Sequence, residues 1–298
     1  MPDSFAKTIG KGFRDKDKLV SGVTRHLMKD HDSGRRTGYL HPSALSSEFF
    51  CPRQAYYDIS GVEADPVPRN LAFEMVFETG HEAHHKWQNW FWEMGDLRGI
   101  FRCNQCWLHW QAVSPSSCPR CEGGRVLLDY AEVPVSDEKH MLRGRADGDV
   151  WKTTRWVLIE IKTIGIGTVR WDAPKLLERY SYVHTDSHGR EHIGVDMEAL
   201  WSGIRVPFAA HLKQGMIYCF CAGRKEMVYL YDPKFVTKFP KEFEIKFRQD
   251  LIQDVLDGCI KVKDHLEMQR PPKRPHWAEK SHNKCKECPF RSTCYPNG

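Results

Sequence analysis

The sequence predicts an α/β protein in which a mixed central sheet is flanked by helices. Residues 126–163 contain short runs rich in β-branched and aromatic residues, which are typical of strands. Residues 71–94 and 208–222 carry apolar side chains at helical spacing. The chain has 298 residues, of which 41% are hydrophobic and 28% are charged. It is therefore long enough to bury a core, and its composition excludes wholesale disorder.

The order of the predicted elements follows from these patterns. A short helix begins near His41, and a long helix covers residues 71–94. One face of the long helix carries apolar residues, glycine and histidine in steps of three and four: Phe73, Phe77, Gly80, His84, Trp87, Phe91 and Met94. The predicted strands are Val126–Val135, His140–Arg145, Asp147–Trp151, Trp156–Thr163 and Glu226–Tyr231, and the later helices are Phe208–Ala222 and Glu242–Leu266.

Composition divides the chain into five predicted regions. They are a basic N-terminal arm (1–40), a helical region (41–100), a cysteine module (101–125), a core with an insertion at 165–206 (126–235), and a C-terminal helix with a cysteine-rich tail (236–298).

Charge is distributed unevenly between the ends and the centre. Residues 1–40 carry nine basic against five acidic residues, residues 261–298 carry nine against four, and the centre has a small acidic excess. Basic ends around an acidic centre would attract a polyanion to a carboxylate-rich metal pocket, but solvated tails give the same pattern. Net charge therefore does not decide the function.

Targeting signals and cysteine usage point to a reducing compartment. The chain has no run of about 18 apolar residues that could span a membrane, and Met1–Lys18 lacks the apolar stretch of a secretion signal. We therefore expect no membrane association and a cytoplasmic location. The eleven cysteines are an odd number, so we expect metal ligands or free thiols rather than disulfides.

The first set of cysteines has the spacing of a structural metal site. Cys103 and Cys106 form one CxxC pair, and Cys118 and Cys121 form a second pair after 11 intervening residues. Two such knuckles complete a tetrahedral site of four thiolates, which leaves no position for a substrate. Zinc is the expected ion, a rubredoxin-like iron site is chemically possible, and chance spacing of surface thiols is the alternative.

The second set lies in the tail and is incomplete. Cys285, Cys288 and Cys294 supply three thiolates, so a fourth must come from elsewhere. Cys51 is a candidate, whereas Cys219, Cys221 and Cys259 lie on predicted core helices, where a small buried residue is ordinary. Four thiolates from distant segments suit either a [4Fe–4S] cluster or a second zinc ion.

A pair of carboxylates is predicted on adjacent strands. A symmetric turn between Thr153 and Thr154 would pair Trp151 with Trp156 and Asp147 with Glu160, with Lys162 beside them on the same face. Adjacent carboxylates repel each other, and a divalent cation is the usual reason to hold them together. The alternative is the exposed polar face of an edge hairpin.

Two weaker signals come from helices. His84 lies on the apolar face of the long helix, where a hydrogen-bonded core histidine is the alternative to a metal ligand. Gln214 and Tyr218 are spaced i,i+4 on a later helix, so their side chains share one face.

Six motifs occur in a specific order along the chain. They are Cys51, Gly80-x-x-x-His84, Gly144-x-x-Asp147, Glu160-x-Lys162, Gln214-x-x-x-Tyr218 and the Cys285/Cys288/Cys294 tail. This order resembles the RecB-like branch of the PD-(D/E)XK nucleases, in particular the iron–sulfur exonucleases associated with CRISPR systems and related phage recombination exonucleases. The resemblance covers roughly residues 43–298. The cysteine module and the 51 residues between Lys162 and Gln214 are not part of the family pattern.

The resemblance implies a restriction-endonuclease-like core and a set of residue roles. His84, Asp147 and Glu160 would bind Mg²⁺ or Mn²⁺, and Lys162 would orient the attacking water. Gln214 and Tyr218 would support the site and the DNA backbone. Cys51, Cys285, Cys288 and Cys294 would hold a [4Fe–4S] cluster that fastens the tail to the N-terminal helical region, which complements the zinc site predicted from Cys103, Cys106, Cys118 and Cys121.

The implied function is a metal-dependent DNA exonuclease that acts on DNA ends or single-stranded DNA in recombination, repair or phage DNA processing. Its setting would be a bacterial or phage-infected cell, and its candidate partners are a helicase, a recombinase or a single-strand-binding protein. The alternatives are a nuclease subunit of a helicase–nuclease or CRISPR integration complex, a non-catalytic metal-stabilised nucleic-acid-binding protein, and an electron-transfer iron–sulfur protein. The chain itself carries no Walker-type motor motif.

Overall fold

The computed structural model describes residues 22–23, 38–65 and 71–296, with the side chains of residues 71–73 left out. The predicted basic arm therefore lies almost entirely outside the described residues. The helices are α1 (Pro42–Leu45), α2 (Pro52–Ile59), α3 (Leu71–Glu93), α4 (Ile166–Asp172), α5 (Pro174–Arg179), α6 (Met197–Gly203), α7 (Ala209–Ala222), α8 (Gln253–Glu267), α9 (Asn283–Lys286) and α10 (Arg291–Cys294).

Seven of the strands follow α3 consecutively, and the other four lie between the later helices. They are β1 (Leu97–Cys103), β2 (His109–Val113), β3 (Leu128–Tyr130), β4 (Val133–Asp137), β5 (Leu142–Ala146), β6 (Gly148–Lys152), β7 (Arg155–Ile164), β8 (Ser181–Thr185), β9 (Glu191–Val195), β10 (Glu226–Pro233) and β11 (Lys241–Lys246). The predicted insertion at 165–206 consists of α4, α5, the β8–β9 hairpin and α6.

The central sheet is mixed, as predicted. Within the described residues it has seven strands in the order β11-β10-β7-β6-β1-β2, with β3 also paired to β1. Strands β7 and β10 are parallel, and the other pairs of this sheet are antiparallel. Strands β4 and β5 form a hairpin outside this sheet, as do β8 and β9. The chain therefore leaves the central sheet after β3 and returns to it at β6.

Each face of the sheet has its own core, because side chains alternate along its strands. Met227, Tyr229 and Tyr231 of β10 pack against α6, α7 and α8 on one face. Val228 and Leu230 face the opposite side and join the core that contains Trp92 of α3 and Phe101 of β1. The sheet thus lies between two helical layers, and the second layer includes the cysteine module.

The strand prediction for 126–135 is wrong in one respect. A 3-10 turn (Arg125–Leu127) and two strands, β3 and β4, replace the single strand, and a break at 131–132 separates them. Because β3 pairs with β1 whereas β4 pairs with β5, this break is the point where the chain changes sheets.

The predicted helix 242–266 begins too early. Residues Lys241–Lys246 form the edge strand β11, in which Phe243 and Ile245 pack against the core at alternate positions. This two-residue period outweighs the helical pattern that starts later, and the helix itself is α8.

The long helix is confirmed as α3, but its predicted face is wrong at both ends. Phe77 is 61% exposed and Met94 is 66% exposed. Among the described side chains of α3, those of Ala83, Gln88 and Trp92 are buried. The buried face is therefore rotated from the predicted one and begins at Ala83. In the described part of the chain, every helix is too short or too polar to cross a bilayer.

A buried ion cluster joins three elements at the centre of the sheet. Asp149 of β6 is 3% exposed, and its Oδ2 accepts hydrogen bonds from Arg98 Nε at 2.8 Å and Arg224 Nη2 at 2.6 Å. Arg98 belongs to β1, and Arg224 follows α7. The cluster therefore joins two neighbouring strands of the sheet to the end of α7.

Replacing Asp149 by alanine should destabilise the fold, because it leaves two arginines without their carboxylate. Since both arginines are partly solvated, we expect the free energy of unfolding to fall by about 2–4 kcal/mol, near the lower end of the range for broken buried pairs. Urea denaturation measures this change. Asp250→Ala is the control, since the Arg248–Asp250 pair is exposed and exposed pairs contribute little to stability. Equal midpoints for the two variants would contradict the prediction.

Candidate active site and metal centres

Asp147 lies where the chain passes from the β4–β5 hairpin into the central sheet. The β6–β7 register pairs Trp151 with Trp156 and Gly148 with Ile159, as the sequence predicts. One step further along this register, Asp147 faces Glu160. The Asp147 Oδ2 atom accepts a hydrogen bond from the backbone N–H of Ile161 at 2.6 Å, which fixes the carboxylate beside β7.

Helix α3 reaches Asp147 from the other side. His84 Nδ1 lies 3.2 Å from Asp147 Oδ1. One turn later, Gln88 Nε2 donates to the backbone carbonyl of Asp147 at 2.9 Å. The structure therefore brings His84 to the predicted carboxylates and not to an isolated position in the core. Burial opposes the charged form of His84, but the hydrogen bond and negative charge of Asp147 raise its pKa.

A chain of hydrogen bonds positions Lys162. Its Nζ lies 2.8 Å from Glu160 Oε1 and donates to Gln214 Oε1 at 3.1 Å. Gln214 Nε2 in turn donates to Tyr218 Oη at 3.0 Å, so the amide oxygen of Gln214 faces the ammonium group. The predicted i,i+4 pair on α7 thus orients the lysine that follows Glu160 on β7. Tyr218 also closes over Gly144, where an added Cβ would lie 3.1 Å from its ring.

The carboxylate of Glu160 is buried with too few partners. Glu160 is 1% exposed, and its Oε2 atom has no hydrogen-bond partner among the described residues. Burial raises the pKa of Glu160 to about 7, with a further contribution from the charge of Asp147 and opposition from Lys162. For Lys162, burial is outweighed by the charges of Glu160 and Asp147, which raise its pKa. A second cation beside Glu160 and Asp147 would satisfy the free oxygen and stabilise the ionised carboxylates.

The structure adds a residue that the sequence did not indicate. The ligand atoms of His84, Glu132 and Asp147 all lie within 4.8 Å of one another. Glu132 occupies the break between β3 and β4, which sequence reasoning treated as one strand. The available signal was the β4–β5 register, because the pairing of Val133 with Ala146 places Glu132 opposite Asp147 at the next step. The donor set of imidazole and carboxylates fits a divalent cation.

The four cysteines of the module (Cys103–Cys121) converge. Their sulfur atoms all lie within 4.8 Å of one another, and both the Cys103–Cys121 and Cys106–Cys118 pairs are separated by 3.5 Å. This spacing fits a tetrahedral site for one ion. Burial opposes ionisation of Cys118, but backbone amides, including that of Arg120 at 3.4 Å from its sulfur, and the neighbouring thiols lower its pKa to about 6. Thiolate character at such a site favours metal binding.

The fold also brings the second set of cysteines to one place. Cys51, Cys285, Cys288 and Cys294 line one cavity between α2 and the tail (residues 270–296). Cys51 precedes the first turn of α2, where burial raises its pKa and the backbone N–H groups of Gln54 and Arg53 oppose this effect. These amides would stabilise an anionic group at the helix start.

Contacts around that cavity fasten the tail to the N-terminal helical region. The rings of Tyr57 and Phe290 lie 5.7 Å apart, and Asp65 accepts a hydrogen bond from the backbone N–H of Ser292 at 2.9 Å. The remaining cysteines lie on core helices as predicted: Cys219 and Cys259 are buried, and Cys221 is half-buried.

Comparisons with known proteins find solved structures with low similarity to this chain. No protein-family model matches the chain, and no curated protein matches its sequence. Among solved structures, it is similar to SSO0001, with 15% identity, a TM-score of 0.37, and coverage of 95% of this chain and 96% of that chain.

Two further similar structures are of LHK-Exo. One is its complex with dAMP (15% identity, TM-score 0.40, covering 78% of this chain and 90% of that chain). The other is described as an alkaline exonuclease from Laribacter hongkongensis (16% identity, TM-score 0.42, covering 79% and 91%). Because these TM-scores are low, the function proposed below rests on the site itself.

Loss of one thiolate from the module should release its metal ion and destabilise the fold. Cys103 and Cys118 are part of the core beneath α3, so Cys118→Ser should remove one metal ion per chain and lower the thermal midpoint. Elemental analysis and thermal denaturation measure both effects. Cys221→Ser, outside both sets, should keep its full metal content. Full metal content in Cys118→Ser would exclude the four-thiolate site.

Proposed function

We propose that the protein is a divalent-metal-dependent deoxyribonuclease that hydrolyses phosphodiester bonds, acting on DNA ends or on single-stranded DNA. The observation that supports this most is the contact of Lys162 with Glu160 beside Asp147 and His84, in a buried cluster where Glu160 Oε2 has no hydrogen-bond partner among the described residues. A metal with an adjacent lysine is an arrangement suited to phosphoryl transfer, because both stabilise developing negative charge.

The proposed ligands of the ion are His84, Asp147 and Glu160. Mg²⁺ or Mn²⁺ bound there would lower the pKa of a water molecule and neutralise the scissile phosphate. The Glu160 Oε2 atom, which has no hydrogen-bond partner among the described residues, is the coordination position that the fold leaves free.

Lys162 has one ammonium hydrogen available for chemistry. The other two are directed to Glu160 Oε1 and Gln214 Oε1. The remaining N–H can donate to the attacking water or to a non-bridging phosphate oxygen, which orients the nucleophile and balances charge as the bond to phosphorus forms. Gln214 and Tyr218 contribute by holding the ammonium group in this orientation.

A groove beside the cluster offers a path for the nucleic acid. It has a volume of about 810 Å³ and runs between α3 and β3, with Gln88 and Ala131 among its lining residues. Arg102, Arg125 and Arg145 line it, and the ring of Trp92 stacks against the Arg125 guanidinium. Arginines along a groove can bind the phosphates of a DNA strand.

The proposed cofactors of the two cysteine sets follow from the resemblance to the iron–sulfur exonucleases and from the positions of the sulfur atoms. The module would hold Zn²⁺, because four thiolates at single-ion spacing are typical of structural zinc. The cavity lined by Cys51 and the three tail cysteines would hold a [4Fe–4S] cluster. Recombination, repair or phage DNA processing is the proposed setting, with a helicase, a recombinase or a single-strand-binding protein as partner.

Removing the Lys162 ammonium group should abolish DNA hydrolysis without unfolding the chain. We expect Lys162→Ala to reduce Mn²⁺-dependent degradation of linear DNA by at least about 100-fold, the usual effect of losing one transition-state donor. The measurement is the rate of nucleotide release from linear duplex and single-stranded DNA, with EDTA as the metal-free reference.

Lys152→Ala is the matched control for this experiment. Lys152 lies on β6 at the far end of the same hairpin, where it pairs with exposed Glu242 and Glu244. It should retain wild-type activity. Retained activity in Lys162→Ala, with circular dichroism showing a folded chain, would rule out the proposed role of Lys162.

We expect the two sets of cysteines to bind different metals, iron in the tail and zinc in the module. Protein purified without oxygen should contain about four irons and one zinc per chain and absorb visible light. Cys288→Ser should lose the iron and keep the zinc, whereas Cys118→Ser should lose only the zinc. Two zinc ions and no iron in the wild-type chain would replace the cluster by a second zinc site and leave the nuclease proposal intact.

A further inference from the structure

Glu132 meets the carboxylate cluster from a strand that carries none of the other site residues. Its carboxylate shares mutual distances below 4.8 Å with ligand atoms of His84 and Asp147. The β4–β5 register places Glu132 next to Asp147, and the β6–β7 register places Asp147 next to Glu160. Asp147 is therefore flanked by a carboxylate on each side, although cross-strand carboxylates repel each other.

The backbone holds Glu132 in a conformation that few residues adopt. Its φ is +63°, in the left-handed region, where a side chain with a Cβ is strained. Two hydrogen bonds to β1 hold the segment there: Ala131 N–H donates to the Ile100 carbonyl at 2.7 Å, and Ile100 N–H donates to the Glu132 carbonyl at 3.0 Å. Glycine or asparagine would fit this position with less strain, so we infer that the carboxylate of Glu132 has a role at this position.

The charges of the cluster do not balance among the described side chains. Lys162 pairs with Glu160, and His84 pairs with Asp147, but no ion-pair partner lies within 4.0 Å of the Glu132 carboxylate in the part of the chain that the structure describes. In addition, the Oε2 atom of Glu160 has no hydrogen-bond partner among the described residues, although this residue is only 1% exposed. Both observations point to a cation between these carboxylates.

We propose that Glu132 is a ligand of the divalent ion, which it binds together with His84 and Asp147. This role deepens the proposed function and rests on it. The site would then hold the ion with three carboxylates and one imidazole, and the third carboxylate would offset the positive charge that Lys162 places beside the ion. A more negative donor set binds a hard divalent cation more tightly.

The test measures Mn²⁺ binding to the full-length protein without DNA, by isothermal titration calorimetry. Glu132→Gln keeps the shape of the side chain and removes its charge, and it should weaken Mn²⁺ binding at least tenfold. Glu132→Ala should weaken it by a similar factor or more. Glu138→Gln is the matched control, because Glu138 is an exposed carboxylate at the turn of the same β4–β5 hairpin, and its Mn²⁺ affinity should equal that of the wild type.

Two further measurements keep the outcome clear. Circular dichroism and zinc content show whether each variant is folded, and a folded Glu132→Gln chain with wild-type Mn²⁺ affinity would overturn the ligand role. The nuclease proposal fails separately: a wild-type chain that binds Mn²⁺ through Glu132 but leaves DNA intact would support the ligand and exclude the nuclease. A wild-type chain that degrades DNA while Glu132→Gln binds Mn²⁺ normally would exclude only the ligand.

Discussion

The structure depends on the position of Asp147, where two antiparallel registers meet. The residue ends the β4–β5 hairpin and begins the central hairpin, so each register supplies one acidic neighbour, Glu132 on one side and Glu160 on the other. Both neighbours follow from backbone pairing rather than from flexible loops. A shift of either register by one residue would turn a carboxylate away from the cluster, because successive side chains of a strand point to opposite faces. The register is therefore what specifies the site.

The remaining parts of the site compensate for the cost of burying these charges. Lys162 supplies one positive charge, but its own burial would favour the neutral amine if Glu160 and Asp147 did not hold it charged. The amide of Gln214, oriented by Tyr218, satisfies a second ammonium hydrogen. From Glu160 Oε1 to Tyr218 each polar group is thus hydrogen-bonded to the next, which orders this part of the network. Such a network presents one fixed orientation to a substrate.

Local sequence patterns predicted the parts of this site that depend on one hairpin or one helix. The turn between β6 and β7 fixed the Asp147–Glu160 pairing, and the i,i+4 spacing on α7 fixed Gln214 beside Tyr218. Glu132 could not be found in this way, because its approach depends on a change of sheet within 126–135, a segment rich in β-branched and aromatic residues that resembles a single strand. The early start given to α8 has a similar origin. The alternation in β11 gains its meaning only from pairing with β10, a long-range contact that periodicity alone does not reveal.

The cysteine module is joined to the active cluster through one strand. Strand β1 ends at Cys103, pairs with β3 through Phe101 and Tyr130, and holds the backbone of Glu132 through Ile100. An ion bound by the module would fix the end of β1, and with it the point at which the chain leaves the sheet. The inserted cysteines therefore act on the same backbone that positions a carboxylate, although no sulfur belongs to the cluster. The two groups of side chains thus share one hydrogen-bonded strand pair, β1 with β3, without contact between them.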